Sequence, residues 1–236
     1  MNGMNVHRHQ AEDGEALLRE RMLEVCRAMN AQGLNQGTAG NLSVRLKPST
    51  LLITPSGVPY ERMGVHDLAR LDFDGQWSGP LRPSSEWRFH RDILRERTDV
   101  EAVLHTHSTH STALACMGEA IPAFHYMVAA AGGIEIRCAP YATFGTQALS
   151  DGALEALAGC RACLLANHGL ITLGATPEKA LALAVEVETL AHMYILARHL
   201  GAPRILDAAE MERVLALFAT YGTPDFPDDT LRRVPG

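Results

Sequence analysis

Apolar residues follow two rhythms along this chain. Between Glu15 and Gln32, Leu18, Met22, Val25 and Met29 recur every three or four positions, the spacing of one helical face, and Gly33 supplies a stop. From Asn41 to Leu46 the rhythm becomes alternation, which predicts a strand. Lys47-Pro48-Ser49 then turns the chain into Leu51-Leu52-Ile53, and Pro55-Ser56-Gly57 marks another turn. Pro83-Ser84-Ser85 leads into a helix predicted over Glu86–Arg97. Glu101–His105 reads as a buried strand, Ser108–Met117 as a helix, and Arg161–Ala166 as a strand broken by Asn167-His168-Gly169. The clearest helix is Pro177–Leu200. Thr176 is its cap, Pro177 fits the first turn, Glu178 favours the positive end of the dipole, and Gly201 ends it. Interleaved strands and helices predict an α/β class built on a central sheet.

Composition narrows the picture. The 236 residues carry no internal repeat or Pro/Gly-rich linker, and 47% are apolar, so a single domain over 1–236 is expected. The first dozen residues are expected to fray, and a C-terminal helix and tail to occupy about 207–236. A net charge of −6 excludes a general nucleic-acid binder, which would show a basic face. No apolar run is expected to reach the roughly 18 residues that span a bilayer, and Met1–Glu15 lacks the apolar core of a signal peptide. Five cysteines scattered through apolar stretches suit a reducing cytoplasm. Cys160 and Cys163 form a C-x-x-C that reads as the entry to a buried strand.

The candidate chemistry lies in the histidines. His105 and His107, at i and i+2 where a strand ends, point to the same side, so they are either a pair of metal ligands or a satisfied strand-end pair. His7 and His9 have the same spacing in a polar terminus with no strand before them, and read as solvated. His110 is out of phase and falls in the next helix. His168, where another strand ends, supplies a third imidazole, and three would leave a tetrahedral ion one open position. Glu86 admits two readings, an acid capping a helix start or a carboxylate joining the site as general base. Only Lys47 and Lys179 are present, one in a turn and one in the first turn of a helix. A Schiff-base lysine, which must be buried, is therefore not expected.

Several segments carry a family likeness: GLNQGTAGN at 33–41, ITPSGVPYE at 53–61, PSSEWRFH at 83–90, the H-x-H with His110, HYMVAAAGG at 125–133, CAPYATFGT at 138–146 and NHGL at 167–170. In these the chain resembles the class II aldolase/adducin family. The resemblance implies a three-layer α/β/α sandwich around a largely antiparallel sheet, assembled as a homotetramer with active sites at subunit interfaces. It implies one Zn2+ per subunit, held by Glu86, His105, His107 and His168, and a phosphate pocket of Gly40, Asn41, Ser56, Gly57, Ser84 and Ser85. Glycines that admit a phosphate to the backbone, with hydroxyl and N–H donors at a helix start, suit that task, although alone they read as turns and caps.

The implied reaction is a reversible, metal-assisted retro-aldol cleavage of a sugar phosphate. L-fuculose 1-phosphate would give dihydroxyacetone phosphate and L-lactaldehyde, with Glu86 as general acid/base at the dihydroxyacetone phosphate carbon. Tyr126 resembles a tyrosine that reaches in from a neighbouring subunit to handle the aldehyde-side proton, and Tyr221 a second one that shapes the aldehyde pocket. Three rivals stand beside this expectation. One is an aldolase for another short deoxy or methylthio ketose 1-phosphate. Another is a pentulose-5-phosphate 4-epimerase, whose kind tends to carry aspartate at the position of Glu86. The third is a non-catalytic adducin-like interaction module, against which the intact ligand set argues.

Overall fold

The computed structural model describes residues 2–218, with side chains from residue 13 onward. An eight-stranded sheet contains β1 (Asn41–Lys47), β2 (Thr50–Ile53), β3 (Ala69–Asp72), β4 (Trp77–Ser78), β5 (Ala102–Thr106), β6 (Cys138–Ala139), β7 (Ala162–Leu165) and β8 (Gly169–Gly174). The spatial order is β4-β3-β2-β1-β5-β8-β7-β6, antiparallel throughout except for the β6–β7 pair. The expected α/β class and largely antiparallel sheet are both present.

Strand alternation sorts the side chains into two cores. Leu42, Val44, Leu52, Leu104, Leu164 and Leu170 face one side, under α1 (Asn2–Ala31), α3 (Thr109–Cys116), α5 (Pro177–Leu200) and α6 (Ala208–Phe218). Leu51, Ile53, Val103, Cys163, Leu165 and Ile171 face the other, under α2 (Trp87–Glu96) and α4 (Gln147–Ala156). Helices on both faces complete three layers.

Most predicted elements fall within a residue or two of their expected ends, and Thr176 caps α5 by accepting from the Lys179 N–H at 3.3 Å. Helix α1 starts earlier than expected, at Asn2, because its first turns carry no apolar stripe to reveal them. The side chains of His7 and His9 lie outside those described. The expectation about spanning segments needs amending. Helix α5 is long and apolar enough to cross a bilayer by length and composition alone. Yet Ala180, Leu183, Ala184, Val187, Leu190 and Ala191 bury one face of it in the core beside the sheet, as a core helix does.

The sheet register brings distant loops to one edge. Asn41, opening β1, pairs with His105 near the end of β5, and Thr106 pairs with Leu170 at the start of β8. The loops before β1, after β5 and between β7 and β8 therefore meet. The loop after β2 joins them because Pro55 bridges Pro83, and the Ser84 N–H donates to the Thr54 carbonyl at 3.0 Å.

Candidate metal centre and anion cavity

At this edge His105, His107 and His168 each turn a ring nitrogen inward, all within 4.8 Å of one another. The Nε2 atoms of His105 and His107 are 3.0 Å apart. His105 is fully buried in the strand, whereas His107, one residue past its end, is exposed. His168 sits in the three-residue turn between β7 and β8, where Asn167 takes a left-handed φ of 53°, a conformation asparagine tolerates better than most residues. His110 does not join them. Its Nδ1 lies 2.8 Å from Glu188 Oε1, and its ring stacks on His192.

Glu86 holds the N-cap position of α2, but its side chain makes no capping bond, so the helix-cap reading does not apply to it. The carboxylate instead enters the cluster. Oε2 lies 3.4 Å from His105 Nε2, and Oε1 lies 3.0 Å from His168 Nε2 without forming a hydrogen bond. Ser84 takes over part of the capping, its hydroxyl oxygen accepting the Glu86 N–H at 3.2 Å.

Donor and acceptor chemistry fixes the state of His105. Its Nδ1 lies 3.0 Å from the Leu170 carbonyl, which only accepts, so Nδ1 carries the proton and Nε2 presents a bare lone pair. That lone pair faces the Glu86 carboxylate and another imidazole. Burial opposes ionisation of Glu86, but His105, His168 and the Asn41 amide outweigh it and hold the carboxyl well below the usual range. Burial also drives His105 down to about 3, and it lowers His107 because that ring is packed against the other two although the residue as a whole is exposed; Glu86 pulls both the other way. At neutral pH His105 and His107 are thus neutral imidazoles beside the Glu86 carboxylate, whose Oε1 has no hydrogen-bond partner. Such a donor set repels itself unless a cation lies between, and a histidine whose other nitrogen bonds a backbone carbonyl has the form of a ligand. The residues fit a divalent metal ion.

Beside the cluster opens a cavity of about 340 Å³. Gly40, Asn41, Ser56, Gly57, Ser84 and Ser85 all line it, together with Glu86, His107 and His168. Gly40 has a φ of +74°, and a Cβ there would stand 2.0 Å from the Asn35 amide nitrogen and 2.6 Å from the His105 carbonyl. Only glycine lets this loop lie against the strand that carries His105. Tyr126 is half exposed and does not line the cavity of its own chain, and Tyr221 lies outside the described residues. Both lysines are exposed.

Some residues at the site were not singled out in the sequence. Asn35 is buried, and its Oδ1 accepts the His107 backbone N–H at 2.6 Å, pinning the segment just past β5. Tyr141, Ala142 and Phe144 form an apolar rim on the cavity. The conspicuous aromatic run Tyr141-Ala-Thr-Phe144 was a usable signal for the rim, whereas nothing local marks Asn35.

Comparison with known proteins matches this architecture. Residues 20–195 match the family model described as the class II aldolase and adducin N-terminal domain. The chain belongs to the class II aldolase and adducin family. It is 56% identical over 205 residues to a 5-methylthioribulose-1-phosphate/5-deoxyribulose-1-phosphate aldolase of Rhodospirillum rubrum, covering 87% of this chain and 92% of that protein. It is 46% identical over 206 residues to the L-fuculose phosphate aldolase of Escherichia coli K12, covering 87% and 95%. A solved L-fuculose 1-phosphate aldolase superposes with a TM-score of 0.83 at 37% identity, over 86% of this chain and 96% of that one. The chain is a class II aldolase, a lyase of carbon–carbon bonds, and the histidine triad is where this metal-dependent class would hold its ion.

Proposed function

We propose that this protein is a zinc-dependent aldolase that cleaves the C3–C4 bond of a ketose 1-phosphate, reversibly, to dihydroxyacetone phosphate and a short aldehyde. The observation that carries this reading is the bare Nε2 of His105 facing an ionised Glu86, at the wall of a cavity lined by serines and glycines. The ion, held by Glu86, His105, His107 and His168, would supply Lewis-acid stabilisation of the negative charge that develops on the substrate oxygens. Ser56, Ser84 and Ser85, with the N–H groups of Gly40, Asn41 and Gly57 and the positive end of α2, would hold the phosphate, so no lysine is needed. In the condensation direction Glu86 takes a proton from the hydroxymethyl carbon of dihydroxyacetone phosphate, and in cleavage it returns the proton there. Tyr126 of a neighbouring subunit in a homotetramer serves the aldehyde oxygen, which accounts for its place outside its own chain's cavity.

For the substrate we favour 5-deoxyribulose 1-phosphate and 5-methylthioribulose 1-phosphate. Cleavage would release a two-carbon aldehyde ending in a methyl or methylthio group, and the rim of Tyr141, Ala142 and Phe144 offers apolar surface to such an end. The higher identity to the R. rubrum aldolase points the same way. L-fuculose 1-phosphate is the second reading, supported by the E. coli relative and by the methyl group of lactaldehyde. Coupling to glycerol-phosphate dehydrogenase turns dihydroxyacetone phosphate into NADH oxidation. The three ketose phosphates should all give signal, with kcat/KM highest for the deoxy and methylthio pentuloses. A higher value for L-fuculose 1-phosphate would reverse the ranking. Silence on all three, with ribulose 5-phosphate epimerised, would replace the aldolase reading by an epimerase.

A further inference from the structure

Behind Glu86 lies a buried histidine with no part in the reaction just described. His90 is fully buried in the first turns of α2, its ring 4.5 Å from that of Phe89. Its Nδ1 lies 2.7 Å from the Ser43 hydroxyl, and its Nε2 bonds Asn41 Oδ1. Asn41 Nδ2 in turn donates to Glu86 Oε2 at 2.9 Å. Ser43, His90, Asn41 and Glu86 are all buried, so water does not replace a lost partner without disturbing the core.

The inventory of donors and acceptors fixes every link. An ionised carboxylate only accepts, so Asn41 must present its NH2 to Glu86 and its oxygen to His90. His90 must then carry its proton on Nε2, leaving Nδ1 to accept from the Ser43 hydroxyl. The opposite tautomer would turn a lone pair on the Asn41 oxygen. The amide would then flip and set its own oxygen against the Glu86 carboxylate. Burial pushes His90 down to about 3, so the ring remains neutral and keeps one acceptor nitrogen across the physiological range.

We propose that His90 is a positioning residue, whose Nε2–H locks the Asn41 amide in the orientation that holds Glu86 beside the histidine triad. The proposal rests on Glu86 being a ligand of the ion. It places the origin of that orientation two side chains away, on a different element from the triad.

Two polar substitutions separate this role from packing. His90→Gln sets an amide NH2 near the place of Nε2 and keeps the donor to Asn41. His90→Asn is too short to reach Asn41 and keeps only the Ser43 side. Zinc affinity is read by competition with a chromophoric chelator, alongside kcat and KM. His90→Asn should weaken binding about 10- to 100-fold, the usual effect of removing a partner of a ligand. His90→Gln should stay near wild type, and Asn41→Asp should resemble His90→Asn or be worse. Equal affinity in the Gln and Asn variants, whether both kept or both lost, overturns the proposal. Should either variant not fold, the wild-type protein decides through ¹⁵N shifts of its histidine-labelled form. His90 is expected as a neutral Nε2–H tautomer from pH 5 to 8, and an Nδ1–H tautomer overturns the assignment. Failure of the underlying reading looks different, because wild-type protein itself would then bind no zinc.

Discussion

Replacing Gly169 with alanine perturbs the site without removing any proposed ligand. Gly169 opens β8 directly after His168, at the point where that strand runs beside the end of β5. A Cβ at this position would stand 2.4 Å from the Thr106 carbonyl oxygen, 3.1 Å from His107 Cδ2 and 3.2 Å from His105 Cε1. The first contact is 1.0 Å short of the 3.4 Å at which ordinary contact begins, and it is with backbone. No rotamer relieves it, so β5 and β8 must part where they carry the triad. Overpacking of this kind costs about 1–3 kcal/mol, and at roughly 2–4 °C per kcal/mol for a chain of this size Tm should drop measurably. A displacement near 1 Å at reacting groups costs on the order of 100-fold in rate. Thermal unfolding, chelator competition for zinc and the coupled assay should therefore all respond to Gly169→Ala. Wild-type zinc affinity and kcat in a well-folded variant would refute the claim that these imidazoles form one tightly spaced centre.

Further outcomes follow from the same geometry. Asn35→Leu removes the acceptor of the His107 N–H and should raise the zinc dissociation constant several-fold by titration, with a smaller loss of Tm. Tyr126→Phe should lower kcat and leave zinc affinity unchanged, because Tyr126 lies outside its own chain's cavity; a monomeric variant should behave the same way. Stability of the metal-free protein should fall with acid. His90 is held at about 3 against an ordinary value of 6.5, so below about pH 6.5 the unfolded chain takes up a proton that the folded chain refuses. The stabilisation is complete above that pH and is lost as pH descends toward 3. Urea midpoints should decline between pH 7 and 5, and His90→Gln should flatten the slope; a wild-type midpoint independent of pH in that range would contradict it.

Much of this arrangement was legible in the sequence, for identifiable reasons. The His105/His107 pair could be read because strand alternation is local, and α5 because its cap, first-turn proline and terminal glycine are all local signals. Strand β8 went unread because every residue from Gly169 to Gly174 is buried, which erases alternation, and the turn before it looked like an ending. β4 and β6 are two residues each, too short for any period to register. Glu86 could not be told from a helix cap by position, since it does occupy the cap; only the direction of its side chain distinguishes the two. Asn35 and His90 act on His107 and Asn41 across 72 and 49 residues of chain. Those contacts exist because the register of β1 on β5 brings the strand ends together, and no short-range pattern encodes that register.

A single divalent ion held among Glu86, His105, His107 and His168 is expected to serve cleavage of a ketose 1-phosphate. The direct measurement is metal content by elemental analysis, paired with coupled turnover of 5-deoxyribulose 1-phosphate before chelation, after it, and after zinc is restored. One ion per chain is expected, with turnover abolished by chelation and regained with zinc, and neither full loading nor turnover in His105→Ala. Undiminished turnover in metal-free protein, or full loading and activity in His105→Ala, would contradict it.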